Sequence, residues 1–437
     1  MKIIRKLGNA EYFYYLYNKL APTNFVVIAS LNINLEIKAI SKSLNTLVNT
    51  YEIFGTKIVP VSSTQLAFCE NPIQTIEPHE VIGPANMLNS IIAQEVNSPL
   101  KHDNEPLHIT IFTENESKSQ HLLFTFNHIL TDAAAAVMMV QKTVAYALSG
   151  RVPLAVNQKA ISLNLERMLP SSVRGLGFLR TAFSLVRRSV LIKRRDKKLQ
   201  QRISGEYNFH SRSVYINRIR IQKQPSQNIR KLARNNRLTI HHILSAILAV
   251  IVRKQYEQKG KIPLTISMPV SLRKMLNPEI DFEVPGLYIS VPKLNIPVSN
   301  DDHIVKVAKL IRTELQHVIH SKEVLILWNL LTRKKFPNTG EGLERMDMTF
   351  SKNADSAMIT NLGVIPIIPE LESKNLIRSL HFAVAPPKDA LLCCAVSSYR
   401  EEMVLNFCFN TDLLPKNNCQ TLYQEFESEL NEITKGY

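Results

Sequence analysis

Tryptophan, cysteine and glycine are scarce in this sequence: one Trp, five Cys and 13 Gly in 437 residues. Glycine falls well below the ~7 % of average chains and shows no triplet period, which excludes a collagen-like or low-complexity protein. The cysteines, at 69, 393, 394, 408 and 419, form no CxxC pair and no regular spacing. Neither a disulfide framework nor a zinc site is expected, and the thiols read as those of a reducing, cytoplasmic compartment. Long apolar runs are also missing. The longest stretch without a charge, Leu20 to Leu35, has 16 residues and contains three Asn and one Pro. That falls short of the ~20 apolar residues of a membrane span. The charged start, Met1 to Gly8, has no apolar region behind it, so no targeting signal is read there.

What is present is a large hydrophobic fraction, 45 %. A chain of this length and composition can bury two or three cores. Basic residues outnumber acidic ones by 53 to 37, and the sequence pI is near 9.5. Taken whole, that charge points to nucleic acid or an anionic surface. The excess is local, however. Residues 1–170 carry 13 basic and 13 acidic side chains, 171–202 carry ten and one, and 203–437 carry 30 and 23.

Periodicity divides the chain into two similar α+β halves. In the first, Asn24–Leu35 reads as a strand, Leu35–Asn49 as a helix and Lys57–Cys69 as a hairpin. Leu107–Thr113 and His121–Phe126 form a second hairpin, followed by a helix over Thr131–Ser149 with Gly150 just beyond it. In the second, helices are expected over 226–236, 238–255 and, in two pieces, 303–333. Strands are expected over 264–270, 286–296, 357–362, 377–383, 391–397 and 403–409, with a last helix over 416–433. The expected boundaries are a lobe at 1–165, a basic linker helix at 166–204 and a lobe at 205–437.

The most informative stretch is Phe126-Asn127-His128-Ile129-Leu130-Thr131-Asp132-Ala133. A strand delivers His128 to a loop, and a helix begins four residues later. Imidazole titrates near neutral pH and suits general-base work. Asp132 at the helix start can cap backbone N–H groups or pair with a cation. On spacing alone, a plain turn histidine beside a plain N-cap explains the same residues.

This stretch resembles the HHxxxDG motif of the chloramphenicol acetyltransferase-like superfamily. That group includes peptide-synthetase condensation domains and the alcohol acetyltransferase and polyketide-associated acyltransferases. The opening Arg5-Lys-Leu-Gly-Asn-Ala-Glu11, the run Ser267-Met-Pro-Val-Ser-Leu-Arg273 and Thr360-Asn-Leu-Gly-Val364 are similar to other runs of the same group, so the resemblance spans nearly the whole chain. It implies an α/β-sandwich fold, two lobes in a V with a tunnel between them. It also implies transfer of an acyl group from a thioester, on acyl-CoA or an acyl carrier protein, to a hydroxyl acceptor without an acyl-enzyme. No bound cofactor is implied. His128 takes the place of the general base, and Asp132 pairs with Arg273. Asn127 stands where the motif has its first His, and Ala133 where it has Gly. Asn can supply comparable hydrogen bonds, whereas the Ala133 methyl would narrow the tunnel. Asn361 is either a substrate contact or a turn residue beside Gly363. A peptide-bond-forming condensation domain and a non-catalytic binding protein of the same fold are the alternatives. The lack of a carrier or adenylation segment argues against the former.

Other histidines read otherwise. His241-His242 lacks an acid four residues on and falls in a buried helix. His317 and His320 have helical spacing but no third ligand, so a solvated face is expected. Val173, Leu176, Leu179, Phe183, Val186 and Val190 share one face of a helix, with Arg180, Arg187, Arg188, Lys193, Arg194, Arg195, Lys197 and Lys198 around it. This segment, 173–198, is read either as a peripheral anchor on an anionic membrane or as a linker that packs its stripe on the protein. The phosphates of a thioester donor are further anionic partners. A lipid-like alcohol acceptor and a monomeric state are expected, and nucleic acid is not, because aromatic interleaving is missing.

Overall fold

A computed structural model describes residues 2–71, 75–100, 106–151, 163–196, 213–256, 259–330, 336–351 and 355–435, with side chains of 188–196 outside the description. The chain opens with β1 (Ile3–Lys6) and α1 (Asn9–Asn18), then β2 (Asn24–Leu31), α2 (Ile37–Thr50), β3 (Thr56–Ser62), β4 (Gln65–Glu70), β5 (His79–Gly83) and α3 (Met87–Asn97). The hairpin β6 (Leu107–Glu114) and β7 (Gln120–Asn127) leads to α4 (Ala133–Ser149). After α5 (Leu176–Asp196) come β8 (Val214–Ile221), α6 (Lys223–Asn235), α7 (Ile240–Lys254) and β9 (Ile262–Ser267). The short ladder of β10 (Val270–Ser271) and β11 (Ile289–Ser290) precedes β12 (Lys293–Val298), α8 (Ile304–His320), α9 (Glu323–Leu330) and α10 (Gly340–Ser351). The last part holds β13 (Ala357–Val364), α11 (Pro369–Glu372), β14 (Ile377–Val384), β15 (Leu392–Tyr399), β16 (Glu402–Asn410) and α12 (Lys416–Lys435).

Two open sheets dominate. One has the order β14-β2-β7-β6-β5 and the other β12-β9-β13-β15-β16-β8. All eight residues of β2 and of β7 are buried, as their near-continuous apolar runs require of strands covered on both faces. The helix α4 is buried from Ala133 to Tyr146, so an Ala- and Met-rich sequence with hardly any polar face suits it. It starts at Asp132, whose side chain accepts from the Ala135 N–H, and ends at Gly150 with φ 66°. Phe25, Phe124, Phe126 and Val137 centre the first core, and Ile247, Leu264, Leu294 and Phe407 the second. Each such side chain contributes about 1.5–3 kcal/mol through burial.

The division at residue 205 does not separate the sheets. β14 returns to the first sheet and pairs antiparallel with β2, Phe382 opposite Val27. The strand has 8 residues and a buried, apolar face that β2 matches, and the closure entropy of a long connection grows only slowly with its length. Where β14 meets the second sheet, Asn406 Nδ2 donates to the Phe382 carbonyl at 2.8 Å and lies 2.9 Å from His381 Nδ1. The strand expected over 286–296 is broken into β11 and β12 around Val291-Pro292, since proline donates no ladder hydrogen bond. The five cysteines are buried and free.

The stripe expected on the basic helix splits. Val173 is buried, but Leu176, Leu179, Phe183 and Val186 are 85, 62, 71 and 54 % exposed. The helix packs instead through the adjoining face that carries Phe178, Thr181 and Ala182. Val190, Arg188, Lys193, Arg194 and Arg195 lie outside the described side chains, and Lys197 and Lys198 outside the described residues. No single described helix is long and apolar enough to cross a membrane.

Candidate active site

β7 ends at Asn127, and the chain turns there for a sequence reason. The Asn127 side-chain oxygen accepts the Ile129 N–H at 3.0 Å, and its backbone carbonyl accepts that of Leu130 at 3.1 Å. This asparagine-built turn carries His128 off the strand end. His128 is 9 % exposed and packs against the Phe25 ring at 4.5 Å and the Tyr14 ring at 5.4 Å. Its Nδ1 is buried with no hydrogen-bond partner among the described residues. Burial lowers its pKa to about 4, opposed only in part by the Asp132 charge and the Thr131 backbone. The imidazole is therefore neutral at neutral pH and able to accept a proton.

Asp132 does not reach for the imidazole; it is held from the other half of the molecule. Arg273 Nη2 donates to its Oδ1 at 2.7 Å and Nε to its Oδ2 at 3.1 Å. Arg273 also donates to the carbonyls of Asp281 and, at 2.9 Å, Val284, and lies 4.8 Å from the Tyr288 ring centre. Both side chains are at most 3 % exposed. The arrangement depends on Gly286, whose φ of 148° suits glycine, and where a Cβ would come within 2.7 Å of the Tyr288 ring. A second, partly buried contact joins the halves: Lys142 Nζ to Glu283 Oε2 at 2.6 Å.

A cavity of about 560 Å³ opens at His128, walled by both halves. Tyr14, Asn24 and Ala133 line it from the first, and Trp328, Met358 and Asn361 from the second. Ala133, the first residue of α4, is 8 % exposed. Asn361 is half-buried; its Oδ1 accepts the Gly363 N–H at 2.7 Å and sets a turn in which Gly363 has φ 72°. Asn361 is thus a turn former that also lies on the cavity wall.

His128, Asp132, Ala133 and Asn361 line this cavity, while Asn127 and Arg273 do not line it and instead hold the 127–132 loop through hydrogen bonds to Ile129 and Asp132. Sequence reasoning missed three things. Tyr14 and Trp328 form the apolar wall, Trp328 Nε1 donating to the Ile289 carbonyl at 2.8 Å. The lone Trp was the available signal. Asp355, also on the wall, accepts from Ser267 Oγ at 2.7 Å and pairs with Lys293 at 2.7 Å. Ser267 lies inside the 267–273 run, but no local pattern ties it to Asp355. The other histidines stay apart: His242 completes a capping box with Thr239, and His317 and His320 are exposed on α8. Among the described residues no three His, Cys, Asp or Glu side chains are grouped to hold a metal ion.

Comparison with known proteins finds similar folds. Residues 210–407 match the family described as phthiocerol/phthiodiolone dimycocerosyl transferase C-terminus. The structure of polyketide synthase associated protein 5 from Mycobacterium tuberculosis is similar over 100 % of this chain and 99 % of that one, at 12 % identity and a TM-score of 0.67. The first condensation domain of the CDA synthetase is similar over 99 % and 96 %, at 13 % identity and 0.66. The condensation domain from Monacolin K polyketide synthase MokA covers 100 % and 98 %, at 10 % identity and 0.60. Among curated proteins no sequence match is found.

Proposed function

We infer, for a chain that has the two-lobed α+β fold of the chloramphenicol acetyltransferase-like and condensation-domain superfamily, an acyltransferase that forms an ester from an acyl thioester and an alcohol. The observation that carries this reading is one relationship. A buried, neutral His128 opens into a cavity between the halves, on a loop anchored to the opposite half through Asp132 and Arg273.

In the proposed step the acceptor O–H gives its proton to the His128 imidazole as its oxygen attacks the thioester carbonyl. A C–O bond forms and a tetrahedral centre collapses with breakage of the C–S bond. The leaving sulfur takes the proton back from the imidazolium, so ester and free thiol are the products and the histidine is restored. The Asp132 charge nearby favours the transient imidazolium. The burial that depresses the histidine's pKa also excludes water, which would otherwise compete as acceptor. Asn361 and Ala133 bound the space for the acceptor, and Asn127 fixes the loop. The donor is acyl-CoA or an acyl carrier protein, whose phosphates suit the 30 basic against 23 acidic residues of 203–437.

Whole-length similarity to condensation domains supports a second reading, in which an amine replaces the alcohol and an amide forms. Asn127 and Ala133, where the motif has His and Gly, support a third, a binding protein without turnover. Free-thiol release from a panel of acyl-CoAs, with alcohol, amine or no acceptor, separates the three. Release that needs an alcohol supports the ester-forming reading, release that needs an amine supports the second, and none with any acceptor supports the third.

A further inference from the structure

α5 has two unlike faces, and each meets something specific. One side packs on the protein: Ser184 Oγ donates to buried Glu323 Oε1 of α9 at 2.9 Å. Leu185, one residue on, lines the cavity beside Glu323 and Leu327. The adjoining face carries Leu176, Leu179, Phe183 and Val186, spaced 3, 4 and 3 residues, all more than half exposed. At 1.5 Å per residue the row is about 15 Å long, too short to cross a bilayer and suited to lying along one. Leu163, 50 % exposed, extends it, sharing a surface groove with Phe178 and Leu179.

Charge identifies what covers this row. Arg180 and Arg187 follow Leu176 and Phe183 by four residues, so they run along its edge, and both are exposed. The sequence from 171 to 202 has ten basic residues and one acidic. A second copy seated on the same face would set one basic helix against another, which electrostatics opposes. An anionic bilayer satisfies both features at once, with acyl chains for the apolar row and headgroups for the arginines.

We propose that the 176–187 face of α5 docks the protein on an anionic lipid bilayer, so that the wall of the cavity lies one helix from the acyl region. For a lipid-like acceptor this is an entry route, a consequence that rests on the acyl-transfer reading; the docking itself does not.

The test is flotation of the full chain with vesicles of phosphatidylcholine alone or mixed with phosphatidylserine. The wild type rises with the anionic vesicles and less so as salt is added. Phe183→Glu weakens this by about tenfold or more, as does the double change Arg180→Glu with Arg187→Glu. These side chains are exposed, so the melting temperature stays put. Thiol release from acyl-CoA with a soluble alcohol is also unchanged by Phe183→Glu, which separates a failure of docking from a failure of the acyltransferase reading. No flotation, equal flotation with neutral vesicles, or undiminished flotation of Phe183→Glu overturns the proposal. So does lipid-free dimerisation that Phe183→Glu abolishes, or capture of the face by an acidic carrier protein in preference to vesicles.

Discussion

Arg273 and Asp132 stand 141 residues apart in the chain and meet through two hydrogen bonds, 2.7 and 3.1 Å, away from solvent. Asp132 is at once the N-cap of α4 and the terminus of a contact from the other half. The loop that carries His128 is thereby fixed from behind. Breaking a buried pair on one side leaves an uncompensated charge, so Asp132→Ala or Arg273→Ala is expected to cost about 3–5 kcal/mol. The double variant should lose less than the sum of the two. Urea unfolding of the three variants measures this; additive losses would show that the pair is not coupled.

The acid limb of activity should follow His128. Burial holds the imidazole unprotonated down to about pH 4, whereas a solvent-exposed histidine charges near 6.5. Because the neutral form is the base, kcat/KM should stay level as pH falls through 6.5 and decline only toward 4. A limb centred at 6.5 would place the base in open solvent.

Acid should also weaken the fold. The pKa values of His128 and His241 are lowered to about 4, and those of His121 and His381 are lowered as well, all chiefly by burial. In the unfolded chain each of these histidines takes up a proton near 6.5, while the native state resists it. The native state binds fewer protons between about pH 6.5 and 4, so stability is full above that window and is lost on descending through it. A melting temperature that fails to drop from pH 7 to pH 4.5 would contradict the burial of these rings.

Asn127 holds the turn through an acceptor atom, so what replaces it should matter by chemistry. Asn127→Leu leaves the buried Ile129 N–H unsatisfied, at an expected cost of about 1–3 kcal/mol. Asn127→His, able to accept at a ring nitrogen, should lose less. Equal destabilisation of the two would mean that volume, rather than the hydrogen bond, governs the site.

Much of this was legible because the relevant signals are local. The 126–133 stretch reads directly as strand, turn and capped helix, and the hairpins at 57–69 and 107–126 follow from alternation. Several elements were not legible. α1 is rich in tyrosine and phenylalanine, which favour helices weakly, and forms because Tyr12 and Leu16 are buried in the first core. α3 carries Leu88, Ile91, Ile92 and Val96 at helical spacing, but only its seat between β2 and β8 gives that short run a reason to stay helical. The return of β14 to the first sheet depends on pairing partners that no window of sequence contains. The two readings of the apolar row on α5 stayed open for the same cause: amphipathic spacing shows that a face exists and leaves open whether the protein covers it.

The central claim is that His128 is the base of a thioester-dependent acyl transfer. It is tested most directly by measuring free-thiol release, with alcohol present, for the wild type and for His128→Ala after confirming equal melting temperatures. The account predicts alcohol-dependent release in the wild type and a loss of about 100-fold or more in the variant. Undiminished release from the folded His128→Ala protein would contradict it.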